Sequence, residues 1–160
     1  MESKKRNPRD EAADYIARRD RTEAELRRRL RDKGYSEEEV EETAAFAEEC
    51  GWIDDASYCR RYIEYSRLRG RGPLRILRDL AEKGVERMLV QELLEELFNR
   101  EAESAAAFAL AEKELSERID EKNLARTARK LASRGFRAGA ISDALRRIRS
   151  ESCETEEDTI

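Results

Sequence analysis

Apolar residues recur along this chain at three- and four-residue intervals: Leu26 with Leu30, Ile76 and Leu77 with Leu80, and Val90 with Leu93, Leu94 and Leu97. That spacing gathers them on one face of an α-helix and leaves the intervening polar residues on the other. The pattern itself repeats. Gly34, Gly84 and Gly135 each follow a cation and precede an apolar residue, as Lys33-Gly34-Tyr35, Lys83-Gly84-Val85 and Arg134-Gly135-Phe136, at intervals of fifty and fifty-one residues. Leu30, Leu80 and Leu131 stand four positions before these glycines, and Val40, Val90 and Ile141 six positions after them.

A glycine behind a cation at the end of an apolar-periodic segment is a helix stop. Glycine accepts the left-handed conformation, and the cation faces the negative end of the helix dipole. Each copy therefore predicts a helix, a tight turn and another helix. Thr22-Glu23-Ala24-Glu25 and Ser36-Glu37-Glu38-Glu39 have the form of capping boxes, and Gly72-Pro73 opens the corresponding helix of the second copy. No cap is evident before Ala138. A further helix precedes each pair, over roughly 9–20, 55–69 and 100–118, with Asp54 and Asp55 at the start of the middle one. The expected fold is all-α: three tandem three-helix repeats, at 1–52 (with a flexible N-terminus), 53–99 and 100–149, followed by a flexible acidic tail at 150–160. Units of fifty residues bury too little surface to stand alone, so the repeats should lean on one another and build an elongated, curved body.

Composition narrows the chemistry. Of 160 residues 44% are charged, against about 25% in ordinary globular proteins. There is no histidine, which removes the Ser-His-Asp and Cys-His designs and imidazole metal ligands. The three cysteines, Cys50, Cys59 and Cys153, are far apart and form no CxxC pair, so reduced thiols are expected. No phosphate loop or nucleophile elbow is visible. The sequence thus predicts no enzyme, no catalytic or metal-binding residue and no cofactor. No apolar run reaches the roughly 20 residues that span a bilayer, and the N-terminal segment lacks an apolar core, which leads us to expect a cytoplasmic protein without membrane contact.

The net charge of -4 conceals 33 basic and 37 acidic residues in separate blocks. Arg60 to Arg78 carries seven arginines against Glu64 alone, and Lys122 to Arg149 carries nine cations against Asp143. Residues 37–49 hold seven glutamates, and 151–160 five acids, with no cation in either. Arg67, Arg69, Arg71, Arg75 and Arg78 are candidates for one binding surface, and Arg126, Arg129, Lys130 and Arg134 for a second, because guanidinium forks pair with carboxylate and phosphate oxygens. The plainer reading of both is a solvated face neutralised by neighbouring acids. Arg18 to Arg31 is interleaved with Asp20, Glu23 and Glu25 and is the weaker candidate. Tyr58, Tyr62 and Tyr65 could stack on bases, but core packing is favoured, as is a buried inter-repeat position for Trp52. Asp54 and Asp55 read as a helix cap rather than a metal pair.

The ordered set ArgThrGluAlaGluLeu (21–26), LysGlyTyr (33–35), GlyTrpIleAspAsp (51–55), Gly72-Pro73 with ArgIleLeuArgAspLeu (75–80), LysGlyVal (83–85) and ArgGlyPhe (134–136) resembles the RecX family of bacterial recombination regulators over about residues 12–149. The resemblance implies three three-helix repeats and a modulator, usually an inhibitor, of the RecA recombinase. It implies binding to the RecA–DNA filament, with reduced ATP hydrolysis, filament growth and strand exchange in recombinational repair and the SOS response. A monomer is expected, with weak direct DNA contact as a possible accompaniment. Two other readings stay open: a protein acting directly on DNA, and a helical scaffold without RecA activity.

Overall fold

The computed structural model describes residues 5–116 and 118–157. Among the described residues there are nine α-helices and no strand: α1 (Pro8–Arg18), α2 (Glu23–Asp32), α3 (Glu37–Glu49), α4 (Asp55–Leu68), α5 (Pro73–Glu82), α6 (Arg87–Leu97), α7 (Arg100–Glu114), α8 (Glu121–Ser133) and α9 (Ala138–Glu157). The helix starts follow local chemistry. Thr22 and Ser36 close full capping boxes with Glu25 and Glu39, Asp54 accepts from the Ser57 N–H, and Pro73 sits in the first turn of α5. The repeated stops are left-handed turns, with φ of 82° at Gly34, 77° at Gly84 and 94° at Gly135.

Extensive helix contacts fall within the triplets α1–α3, α4–α6 and α7–α9. The apolar interior is divided differently. Leu26, Leu30, Val40 and Ile53 form the core of the first triplet, whereas one continuous cluster runs from Cys59 to Ile148 through the second and third. The first triplet is joined to the second largely by polar contacts. Thr22 donates to the Lys83 carbonyl at 2.6 Å, the Glu23 N–H donates to Asp55 Oδ1 at 2.9 Å, and Arg61 pairs with Asp20 at 3.0 Å.

The same junction recurs between the second and third triplets, where the Gly72 N–H donates to the Arg134 carbonyl at 2.8 Å and the Leu74 N–H to the Gly135 carbonyl at 3.0 Å. In both, the start of a repeat's second helix abuts the cation-glycine turn that ends the next repeat's second helix. The order in space is therefore α8, α5, α2, each C-terminus meeting the following N-terminus. Facing partial charges of opposite sign favour this arrangement.

Four expectations need correction. In place of a separate tail from residue 150, α9 continues to Glu157, with the Arg147–Glu151 pair one turn apart and the Ser150, Ser152 and Thr155 hydroxyls bonded back to helix carbonyls. Residues 158–160 lie outside the described residues. At the N-terminus, residues 1–4 also lie outside them, but Lys5 is tied to the Gly34 carbonyl and Arg6 to the Tyr35 hydroxyl, so this segment is held on the first triplet from Lys5 onward. The first helix of the third repeat stops at Glu114 rather than 118, with the buried Leu115 as its C-cap; residue 117 is outside the described set. Trp52 is 37% exposed, with its ring edge-on to Phe46 at 5.3 Å. The left-handed Gly51 folds it back over the end of α3, and Ile53 enters the core in its place.

Candidate functional site

The predicted arginines of the second repeat divide among four environments. Arg67 points at the end of α6, donating to the Leu97 carbonyl and lying 4.7 Å from the Phe98 ring centroid. Arg69 and Arg71 flank Tyr65, at 4.3 and 5.7 Å. Arg71 and Arg75 line a groove with Arg28 and Lys83, shared with the carboxylates of Glu25 and Asp79. Arg78 is exposed on α5 and makes no polar contact among the described residues. Arg67 is thus engaged with the end of α6, while Arg71 links the Tyr65 ring to the groove and Arg78 follows Arg75 by about one turn of α5.

Within the groove the charges are partly tied. The Tyr62 hydroxyl donates to Asp79 Oδ2 at 2.9 Å, and Arg71 Nη1 reaches the Tyr62 oxygen at 3.5 Å. Burial pushes the Tyr62 phenol above its ordinary value, and Asp79 adds to the effect. Arg75 Nε stands 3.8 Å from Asp79, beyond hydrogen-bond reach, and is buried without a bonded partner among the described residues. Such an atom gains from any acceptor brought into the groove.

Tyr58 and Tyr62 are half-buried against the core with rings parallel to within 7° and centroids 6.4 Å apart, while Tyr65 is 45% exposed. Core packing therefore describes the first two. Tyr65 is a surface ring between two guanidinium groups.

In the third repeat Lys130 pairs with Glu114 across to α7, which draws the Glu114 carboxyl below its ordinary value. Arg134 turns to the junction, where Nη1 donates to the Arg69 carbonyl at 3.3 Å. Arg126 and Arg129 are exposed and unpaired among the described residues. The two patches read separately along the chain thus meet at Arg69 and Arg134, while Lys130 is neutralised.

Arg28 is the residue that charge counting passed over. Its neighbours are occupied: Arg27 with Glu23 and Glu41, Arg29 with Glu11, Arg31 with Glu37. Arg28 alone of the four faces the groove unpaired, and its position six residues before Gly34 matches Arg78 before Gly84 and Arg129 before Gly135. Repeat register, not local charge, carries that signal.

Three-helix units joined end to end through repeated cation-glycine turns make this an all-α helical-repeat protein. Family models for the first and second three-helix domains of RecX match residues 9–46 and 54–94. The chain is 33% identical to the regulatory protein RecX of Neisseria meningitidis serogroup A over 144 residues, covering 89% of this chain and 92% of that one. Against RecX of Actinobacillus pleuropneumoniae serotype 5b the identity is 38% over 80 residues, half of this chain and 53% of the relative, so this match spans about half of that protein's length. The crystal structure of RecX from Lactobacillus salivarius superposes with a TM-score of 0.80 over 88% of this chain and 93% of that one; at 21% identity it speaks to the fold. The chain belongs to the RecX family of regulatory proteins. No helix among the described residues is long and apolar enough to cross a membrane.

Proposed function

We propose that this protein is a cytoplasmic regulator of the RecA recombinase, acting without chemistry of its own by binding the RecA filament on DNA and restraining its ATP hydrolysis and growth. The observation that carries the reading is the family match along 89% of the chain, combined with three helix triplets, α1–α3, α4–α6 and α7–α9, joined where a helix start meets a cation-glycine turn. A body tied together in this way bridges neighbouring subunits of a polymer. If it fits one filament conformation better than another, its binding shifts the equilibrium toward that conformation by its difference in affinity. The groove cations Arg71 and Arg75, with Arg78, Arg126 and Arg129, are the contacts we assign to the filament.

The test is single-stranded-DNA-dependent ATP hydrolysis by RecA from the same organism, titrated with this protein and paired with filament length by electron microscopy. The expected result is a falling rate with shorter or immobile filaments. Unchanged rate and length at every ratio, with the protein folded, would overturn the reading.

A second reading, direct contact with single-stranded DNA, is favoured by the exposed Tyr65 ring between Arg69 and Arg71, since bases stack on such surfaces. It predicts binding to naked DNA that weakens steeply with salt.

A further inference from the structure

We propose that Arg28, Arg78 and Arg129 form a single row of contacts to an acidic protein surface that repeats along its length. The proposal rests on the reading of this protein as a ligand of the RecA filament and names the residues and chemistry of that contact.

The three arginines hold the same place in the repeat, six residues before Gly34, Gly84 and Gly135. In each helix the flanking positions, Leu26 and Leu30, Ile76 and Leu80, Thr127 and Leu131, are buried, so the arginine between them faces outward. All three are exposed, and none has a hydrogen bond, ion pair or ring contact among the described residues. Two other positions are cationic in every copy. At the first, Arg21 lies on Tyr15 and near Glu25, and Arg71 lies against Tyr62 and Tyr65. At the second, Lys33, Lys83 and Arg134 occupy helix ends, and Arg134 is bonded to the Arg69 carbonyl. Only the Arg28 set is exposed and unpaired throughout.

The junctions turn this sequence repeat into a spatial one. The N-terminus of α2 sits on the Lys83-Gly84 turn as that of α5 sits on the Arg134-Gly135 turn, with the carbonyl before the glycine accepting in both. The donors differ, the Thr22 hydroxyl at one junction and the Gly72 and Leu74 N–H groups at the other, but both set a helix start on the turn that ends the next repeat's second helix. With five residues from arginine to helix end and six from helix start to the next arginine, each rising about 1.5 Å, helices following end to end space the guanidinium groups on the order of 15 to 20 Å apart.

The row suits protein carboxylates better than a phosphate backbone. Asp32 and Glu82 follow Arg28 and Arg78 by one helical turn, exposed and unpaired among the described residues. A polyanion with a charge every 1.7 Å or so of duplex would meet these acids along with the arginines. A folded partner can set a carboxylate against each arginine and leave the acids in solvent, and a fork of paired N–H donors favours carboxylate geometry.

The experiment measures affinity of the full chain for RecA filaments on single-stranded DNA, and separately for the naked DNA, using Arg28→Glu, Arg78→Glu, Arg129→Glu and the triple variant. Arg60→Glu, at an exposed arginine on α4 paired with Glu96 on α6, is the control, and circular dichroism and melting verify folding. Each single reversal is expected to weaken filament binding by roughly three- to tenfold and the triple by roughly thirtyfold or more, with naked-DNA binding and Arg60→Glu little changed. A triple variant that binds like the wild type overturns the row. So does a loss matched by Arg60→Glu, which would be a net-charge effect, and so does an equal loss on naked DNA, which would make the occupant nucleic acid. A folded wild-type protein that ignores the filament overturns the functional reading itself, and the row with it.

Discussion

The Thr22 hydroxyl donates a 2.6 Å hydrogen bond to the carbonyl of Lys83, sixty-one residues away, while its oxygen accepts from the Glu25 N–H of its own helix. One buried side chain therefore caps α2 and fastens it to the end of α5. Ser36 caps α3 with the same box but makes no hydrogen bond to another repeat among the described residues. Ser36→Ala is expected to cost about 1 kcal/mol, within the usual range for a lost cap. Thr22→Ala also strips the part-buried Lys83 carbonyl of its donor and is expected to cost about 2 to 3 kcal/mol, with Thr22→Ser close to wild type. Urea melts of the three variants check this, and equal losses for Thr22→Ala and Ser36→Ala would show that the inter-repeat bond contributes nothing.

Gly34 and Gly84 share a left-handed turn but not a neighbourhood. A Cβ at Gly34 meets open space, whereas one at Gly84 collides with the Ala24 Cβ of the preceding repeat. Both alanine variants incur the left-handed penalty of about 1 to 2 kcal/mol. Gly84→Ala is expected to lose about 1 to 3 kcal/mol more through overpacking, part of it recovered when Ala24→Gly is added. A double-mutant cycle reads that coupling directly. Gly34→Ala as damaging as Gly84→Ala, with no coupling to Ala24, would contradict the junction.

These residues mark how far the chain could be read unaided. Thr22, Ser36, Asp54, Pro73 and the three turn glycines act through neighbours within a few positions, so helix count, the three glycine stops and four of the starts follow from sequence. The start of α9 does not. Its missing cap is supplied by Glu103, buried on α7, whose carboxylate accepts from the Arg137 N–H at 2.8 Å just as Glu25 and Glu39 accept from the cap residues of their own helices. Asp55, grouped with Asp54 as a cap, instead serves Glu23 in the preceding repeat. Among the arginines, charge density could not separate Lys130, neutralised by Glu114, from Arg129 beside it. Acceptors reached through the fold leave no mark in local composition.

The cysteines should report on the shared core. Burial, with Asp55 nearby, pushes the Cys59 thiol up to about 11, while Cys50 and Cys153 are exposed. Thiolate is the reactive form, so at about pH 8 a thiol-specific disulfide reagent is expected to label two groups promptly and Cys59 at least about tenfold more slowly. Denaturant should bring the third into step. Three equal rates in the native protein would mean that the core around Cys59 opens readily.

Asp55 sets a pH dependence. Burial raises its carboxyl above the ordinary value, against the pull of the Glu23 N–H. The folded protein then holds this proton more tightly than the unfolded chain. Between the unfolded and the folded pKa, folding takes up a proton, and the contribution of Asp55 to stability falls as the pH rises, reaching a constant deficit above the folded value. Asp55→Asn keeps an oxygen for Glu23 and never ionises. It should approach the wild type below about pH 3, where the carboxyl is protonated in both states, and gain on it as the pH rises through and above the ordinary carboxyl range. Asp55→Ala leaves the Glu23 N–H without its acceptor and should cost about 1 to 3 kcal/mol at neutral pH. Urea unfolding of the three proteins from acid to neutral pH makes the comparison. A wild-type to Asp55→Asn difference that does not change with pH would show that the carboxyl is not raised by its place between the first two repeats.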